Sequence, residues 1–316
     1  MLQNGLVVAG FGRHVLVETD TGERIICHPR GKKNTAVVGD RIKWLATQDE
    51  GTIERLEPRR NLFYRQDEIR TKSFAANLDQ ILILIAAEPE FSESQLSRAL
   101  IAAEAEHITP IIALNKSDLI VPFAKAWERL QPYKEMGYNV VSMTLKPKNV
   151  SLASDAADFD IEKIEQQAQL LRSLLQGKTT LVLGPSGAGK STLINAVVPN
   201  ATVFTQEISQ ALNSGKHTTT STTWYWVDEA KTTALIDSPG FQEFGLNHIE
   251  AMHLASYMPD FKVHVPNCKF YNCSHLHEPG CGVLESMKSD SSRRKISLER
   301  YRIYSSLFAE LSEVRY

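Results

Sequence analysis

Two short segments fix most of what this chain can become, and their order is the informative part. The octapeptide Gly184-Pro185-Ser186-Gly187-Ala188-Gly189-Lys190-Ser191 follows an apolar run, Thr179 to Leu183, and leads into a segment of helical character, Lys190 to Val197. Glycines at 184, 187 and 189 let backbone N–H groups close around a phosphate. Lys190 reaches the β- and γ-phosphates, Ser191 offers a hydroxyl to Mg²⁺, and Thr192 follows it at the nucleotide. Such a loop works only between a strand and a helix, so the chain must contain an α/β sheet. The tetrapeptide Asn115-Lys116-Ser117-Asp118 lies earlier, at the end of another apolar run, Pro110 to Leu114.

The tetrapeptide has a chemistry of its own. A carboxylate at Asp118 accepts from both N1–H and the 2-amino group of guanine, whereas adenine offers an acceptor at N1 and no 2-amino group. Asn115 suits the Hoogsteen edge, and Lys116 packs along the base and the phosphate loop. In Asp237-Ser238-Pro239-Gly240, at the end of a further apolar strand, Asp237 suits a carboxylate that holds Mg²⁺ through water, and the Gly240 N–H suits the γ-phosphate. In an ordinary GTPase the phosphate loop opens the domain and the base-reading motif comes near its end. The reversed order here makes a circularly permuted P-loop GTPase domain the economical reading. In Gly215-Lys216-His217-Thr218-Thr219-Thr220, one threonine should complete the Mg²⁺ shell, and sequence does not separate Thr219 from Thr218. Phe241 stands where many GTPases carry a water-orienting Gln, and a phenyl ring cannot orient water. Slow intrinsic hydrolysis is therefore expected, with His217 the best internal candidate for the missing polar contact. The alternative is a loop histidine that only positions its segment. Ser142 could begin the loop that backs the base, although Met143-Thr144 replaces the small residues usual there.

The rest of the 316 residues divides by pattern. Runs at Gly5–Phe11, His14–Thr19, Arg24–His28, Asp40–Leu45 and Gly51–Leu56, separated by turn residues, predict an OB-like β-barrel over 1–70, with an SH3-type module as the rival on strand count. Strands then alternate with helices over 71–245. The expected elements are strand Ile81–Ala87, a helix with Leu96, Ala99, Leu100 and Ala103 on one face, a helix from about Pro122 to Met136, and strand Tyr138–Ser142. A polar helix near 160–176 and strands Trp224–Val227 and Thr232–Ile236 complete the set. Residues 146–157 and 205–222 read as loops. Tyr301, Tyr304, Phe308 and Leu311 recur at helical spacing near the C-terminus and read as a packing face.

Bulk properties exclude more than they identify. The longest apolar run, Ile81 to Ala87, is far too short to span a bilayer, and no export signal is recognisable, so a cytoplasmic location and no membrane partner are expected. The net charge of −2 does not advertise nucleic-acid binding. Small local excesses of +3 over residues 1–72 (13 − 10) and 288–316 (7 − 4) permit an RNA partner. Three of the 4 cysteines cluster as Cys268-x4-Cys273-x-His275-x5-Cys281 within 246–316. Three thiolates and one imidazole make a closed tetrahedral shell, so one structural zinc is expected, with His277 a rival to His275 as ligand.

Taken together, the chain resembles the ribosome-small-subunit-dependent GTPase family, circularly permuted enzymes that assist maturation of the bacterial 30S subunit. The resemblance is carried by the motif order, Gly215-Lys216-His217-Thr218-Thr219, Asp237-Ser238-Pro239-Gly240-Phe241, and the cysteine spacing with His275. It implies OB and zinc domains that grip 16S rRNA, GTP hydrolysis stimulated by the subunit, a catalytic role for His217, and His275 as zinc ligand. Lys216 departs from the Arg common before that histidine, and no strongly basic extension precedes the barrel. Gly187 replaces the Asn of potassium-dependent GTPases. A monomer is the default expectation. A GTP-dependent RNA-binding scaffold and a GTP-powered metal-handling protein are the competing classes.

Overall fold

The computed structural model describes residues 1–31, 35–48, 50–68, 70–145, 169–199, 201, 222–238, 244–288 and 296–313. The expected loops at 146–157 and 205–222 lie outside these residues, save Thr222.

Strands β1 (Gln3–Phe11), β2 (His14–Thr19), β3 (Arg24–Pro29), β4 (Arg41–Ala46) and β5 (Gly51–Leu56) form the N-terminal barrel. Their order is β1-β2-β3-β5-β4, closed by pairing of β1 with β4. β3 runs parallel to β5, and the other neighbours are antiparallel. This five-stranded Greek-key closure is that of an OB barrel and decides against an SH3-type module. Val7, Val15, Val17, Ile42, Trp44 and Ile53 fill the interior. Gly51 makes room for them, since a Cβ there would stand 2.5 Å from Cys27 Sγ and 2.6 Å from the Trp44 ring.

A hairpin that sequence reading did not find, β6 (Leu62–Gln66) with β7 (Thr71–Ala76), follows the barrel. Its buried Phe63 and Phe74 meet the Phe244 ring at centroid distances of 5.5 and 6.0 Å.

The α/β unit comprises β8 (Gln80–Ala86), α1 (Glu93–Ala105), β9 (Thr109–Asn115), α2 (Ile120–Arg129), α3 (Gln131–Glu135) and β10 (Asn139–Ser142). It continues with α4 (169–175), β11 (Thr179–Leu183), α5 (Lys190–Val197), β12 (Thr223–Trp226) and β13 (Ala234–Asp237). The strands lie in the order β10-β9-β8-β11-β13-β12. Every neighbouring pair is parallel except β13 with β12. Starting the list at β11 puts the phosphate-loop strand first and the base-reading strand near the end, as in an unpermuted domain. The chain instead enters this sheet at β8. All of β8 is buried, with Ile81, Ile83 and Ile85 in one apolar cluster and Leu82, Leu84 and Ala86 in another. That two-sided burial explains its unbroken apolar run.

Ser92 caps α1, accepting from the Gln95 N–H, and Leu96, Ala99, Leu100 and Ala103 face the core as expected. The single helix expected over 122–136 is two. α2 stops before Leu130, and Pro132, which has no N–H to donate, opens α3. The expected helix near 160–176 is described only from residue 169.

The C-terminal part holds two short 3₁₀ segments, Ala251–Tyr257 and Val265–Asn267, with α6 (Pro259–Lys262), α7 (Gly282–Met287) and α8 (Leu298–Ser312). Helix α8 is capped by Ser297 and buries Ile303, Tyr304, Leu307 and Phe308. These side chains belong to the same apolar cluster as β8 and α1, so the C-terminal segment packs directly on the α/β unit. Arg300 clamps the junction. It donates to both Asp260 carboxylate oxygens at 2.9 Å and to Ser97 Oγ on α1 at 2.7 Å. Among the described residues no helix is long and apolar enough to cross a membrane.

Candidate nucleotide site and metal centre

The loops that follow β9, β10, β11 and β13 all leave the C-terminal ends of strands in one parallel sheet, the edge where α/β folds bind ligands. In the phosphate loop, Gly187 and Gly189 take left-handed φ values of 80° and 105°. A Cβ on Gly189 would lie 2.5 Å from Asn115 Nδ2, so the glycine lets the two motifs approach. At that approach Asn115 Nδ2 donates to the Ala188 carbonyl at 2.8 Å. Asn115 Oδ1 is buried with no hydrogen-bond partner among the described residues. Lys116 takes a left-handed φ of 66°, and its Nζ donates to the Glu88 carbonyl in the loop after β8.

Asp118 is oriented by a residue that sequence reading noted only as a departure. Thr144 Oγ1 donates to Asp118 Oδ1 at 2.7 Å, and the Ser117 N–H donates to the Met143 carbonyl at 3.1 Å. The loop after Ser142 therefore backs the base-reading motif despite its larger residues. Position alone gave no signal of the Thr144 contact.

Lys190 Nζ is held over the phosphate loop by the carbonyls of Gly184 at 2.6 Å and Pro185 at 3.2 Å. Burial lowers its pKa, and the Asp237 charge opposes that shift. Burial raises Asp237 to about 6, against the pull of Lys190 and the Ser238 N–H. Asp237 Oδ1 is buried without a hydrogen-bond partner among the described residues. A desolvated, unsatisfied carboxylate oxygen, with the Ser191 hydroxyl at the start of α5, fits the oxygen-donor chemistry of Mg²⁺. Ser186 is exposed beside Pro185 in the loop, and Thr192 follows Ser191 within α5. His217, Thr219 and Gly240 lie outside the described residues.

The second centre lies in the C-terminal part. The ligand atoms of Cys268, Cys273, His275 and Cys281 all lie within 4.8 Å of one another. His275 Nδ1 is 3.5 Å from Cys268 Sγ and 3.4 Å from Cys281 Sγ, and those two sulfurs are 4.0 Å apart. A tetrahedron with metal–S bonds of about 2.3 Å and metal–N of about 2.0 Å has edges of roughly 3.5 to 3.8 Å, so the cluster fits one ion with little adjustment. His275 is buried, whereas His277 is exposed and outside the cluster, which separates the two rival histidines. Burial pushes the Cys273 thiol up to about 12, so a bound cation is what would favour its thiolate. The surrounding shell is polar and ordered. Gly282 N–H points at Cys268 Sγ at 3.3 Å, while Tyr304 and Tyr301 hydroxyls donate to the carbonyls of Ser274 at 2.8 Å and His275 at 3.0 Å.

Known proteins resemble this chain in sequence and fold. The model of the RsgA GTPase family matches residues 56–247. A small ribosomal subunit biogenesis GTPase, RsgA, of Variovorax paradoxus (strain S110) is 68% identical, with 100% of this chain and 95% of that protein covered. The protein of the same name from Paraburkholderia phytofirmans is 47% identical, covering 98% and 94%. Among solved structures, YjeQ from Thermotoga maritima superposes with a TM-score of 0.70 at 28% identity over 100% of both chains. YloQ, a circularly permuted GTPase, gives 0.67 at 26% identity over 100% of this chain and 98% of the other. On the match over residues 56–247 and these whole-length relatives, the chain belongs to the RsgA GTPase family.

Proposed function

We propose that this chain binds the small ribosomal subunit and hydrolyses GTP to GDP and phosphate during late 30S maturation, with turnover stimulated by the subunit. The reading rests first on the hydrogen bond from Asn115 to Ala188, which brings the base-reading motif against the phosphate loop. Family membership and the names of the relatives support the ribosomal role.

In this reading Asp118, steadied by Thr144, selects guanine, and Asn115 and Lys116 flank the base. Residues Gly184 to Thr192 cradle the phosphates, with Lys190 and the Gly240 N–H opposite the γ-phosphate. Ser191, Asp237 and Thr219 would hold Mg²⁺, which supplies charge neutralisation on the phosphate oxygens. Water attacks the γ-phosphorus, the bond to the GDP oxygen breaks, and the water proton leaves with inorganic phosphate. His217 orients that water where Phe241 cannot. One structural zinc would occupy the Cys268, Cys273, His275 and Cys281 set. The barrel (1–70) and the zinc-binding part (246–316) grip 16S rRNA around the GTPase domain (71–245). The protein works as a cytoplasmic monomer.

The deciding experiment is a GTPase assay with isolated small and large subunits. Stimulation by the small subunit alone, lost in Lys190→Ala, is the expected result. Absence of stimulation by any ribosomal particle would favour the scaffold class. His217→Ala should lower turnover while leaving GTP affinity near normal.

A further inference from the structure

The barrel and the GTPase sheet are one continuous hydrogen-bonded surface of 11 strands. The seam is narrow. β1 meets β12 antiparallel at Ala9 opposite Thr223. Thr223 is in turn the direct cross-strand partner of Asp237 on β13. One lateral line therefore runs from the barrel through β12 to the candidate Mg²⁺ carboxylate.

The other end of the β12–β13 hairpin is held by a buried acid. Glu18 on β2 is only 6% exposed. Its Oε1 accepts from Trp226 Nε1, at the end of β12, at 2.9 Å, and from Lys231 Nζ, in the β12–β13 turn, at 2.6 Å. Its Oε2 accepts from Arg24 Nη2 at 3.1 Å and Nε at 3.3 Å within the barrel. Both oxygens are satisfied, one by each unit. A buried carboxylate bridging two folding units costs desolvation, which these four charge-assisted or polar contacts offset. It also fixes geometry in a way that an apolar seam would not.

We propose that Glu18 is a positioning residue for GTP hydrolysis: by anchoring the β12–β13 hairpin to the barrel, it sets the placement of Asp237 and couples barrel contacts with RNA to the nucleotide site. The proposal rests on the nucleotide-site reading above. The hairpin is held at its turn by Glu18 and beside Asp237 by Ala9, so a force on the barrel reaches the carboxylate through two strands. With the Glu18 anchor released, Ala9–Thr223 is the one backbone pairing left between β1 and β12 among the described residues, beside the apolar contacts of Val8 and Leu16 with the cluster that holds Trp224.

The test uses full-length Glu18→Gln, which keeps shape and one acceptor, and Lys231→Met, which removes the partner charge from the hairpin side. Hydrogen–deuterium exchange over residues 223–237 is expected to accelerate in both, with β11 and α5 unchanged. The Mg²⁺ concentration for half-maximal binding of a fluorescent non-hydrolysable GTP analogue is expected to rise about fivefold, while GDP affinity measured without Mg²⁺ stays the same. Small-subunit stimulation should fall by a similar factor. Faster exchange with an unchanged Mg²⁺ midpoint would overturn the proposal and leave Glu18 a structural clamp. Loss of GDP affinity without Mg²⁺ would also overturn it, since the defect would then be general. If the wild-type protein is not stimulated by the subunit, the ribosomal reading fails, whereas the Mg²⁺ midpoint still decides the role of Glu18.

Discussion

Asn115, at the end of β9, and Ala188, in the loop after β11, are joined by a 2.8 Å hydrogen bond from the side-chain amide to the backbone carbonyl, although β9 and β11 are not neighbours in the sheet. The base-reading motif precedes the phosphate loop in sequence, yet the two meet as they must to hold one nucleotide. Rotating the chain order changed which loops are continuous and left the convergence intact.

Base selection should follow from Asp118 and its support. Asp118→Asn replaces one acceptor with a donor, so GTP binding should weaken by at least about a hundredfold, and xanthosine triphosphate, whose 2-oxo group can accept, should gain. Thr144→Val removes the 2.7 Å bond that orients the carboxylate, and affinity should fall about fivefold with guanine still preferred. Titration with fluorescent GTP and XTP measures both. A Thr144→Val protein with wild-type affinity would show that the carboxylate is oriented by other contacts.

The buried carboxylate at 237 predicts a pH signature. Burial raises Asp237 from 3.8 to about 6, so ionisation opposes folding of the nucleotide-free protein. That cost is absent below the unfolded value and complete above about 6. Asp237→Asn should therefore stabilise the Mg²⁺-free, nucleotide-free protein at pH 7.5 by something on the order of 2 kcal/mol. The advantage should vanish as pH falls towards 4. With Mg²⁺ and GTP present the ranking should reverse, because the ionised carboxylate is the form a cation needs. Thermal melts at several pH values, with and without Mg·GTP, read both signs.

How legible the molecule was in its sequence varied with the range of the interactions. The barrel strands, β8, β11 and α5 were readable because local periodicity and turn residues define them, and the cysteine spacing announced its cluster. The β6–β7 hairpin was not, since the polar stretch Arg65-Gln66-Asp67-Glu68 hides two short strands whose buried rings, Phe63 and Phe74, rest on Phe244 from far along the chain. The strand directions that separate an OB barrel from a rival module are likewise set by pairing. Glu18 and Arg300 look like surface charges in sequence. Each is buried because its partners, Trp226 and Lys231 or Asp260 and Ser97, arrive from distant segments.

Metal removal should act on one part of the molecule. Without a cation, burial favours the protonated thiols of Cys273 and Cys281 over the thiolates a metal would bind, and the loop carrying them is tied to α8 through Tyr301 and Tyr304. Chelation under reducing conditions should release one equivalent of zinc and speed amide exchange over 265–287 and α8, while the barrel stays protected. Mass spectrometry of the metal content and exchange mapping test this together. Uniform loosening of the whole chain would contradict a locally structural metal.

The junction between the C-terminal part and the α/β unit depends on a buried charge pair. Asp260 and Arg300 side chains are 2% and 3% exposed, and the arginine also holds Ser97 on α1. Arg300→Ala should cost about 3–5 kcal/mol, because it strands a buried carboxylate and deletes packing against Tyr133. Replacing both charges, Asp260→Leu with Arg300→Met, should cost less than Arg300→Ala, since no unpaired charge remains and the apolar stems refill the space. Urea denaturation of the single and double variants measures the difference. A double variant as unstable as the sum of its singles would mean that the pair acts through separate contacts rather than through mutual neutralisation.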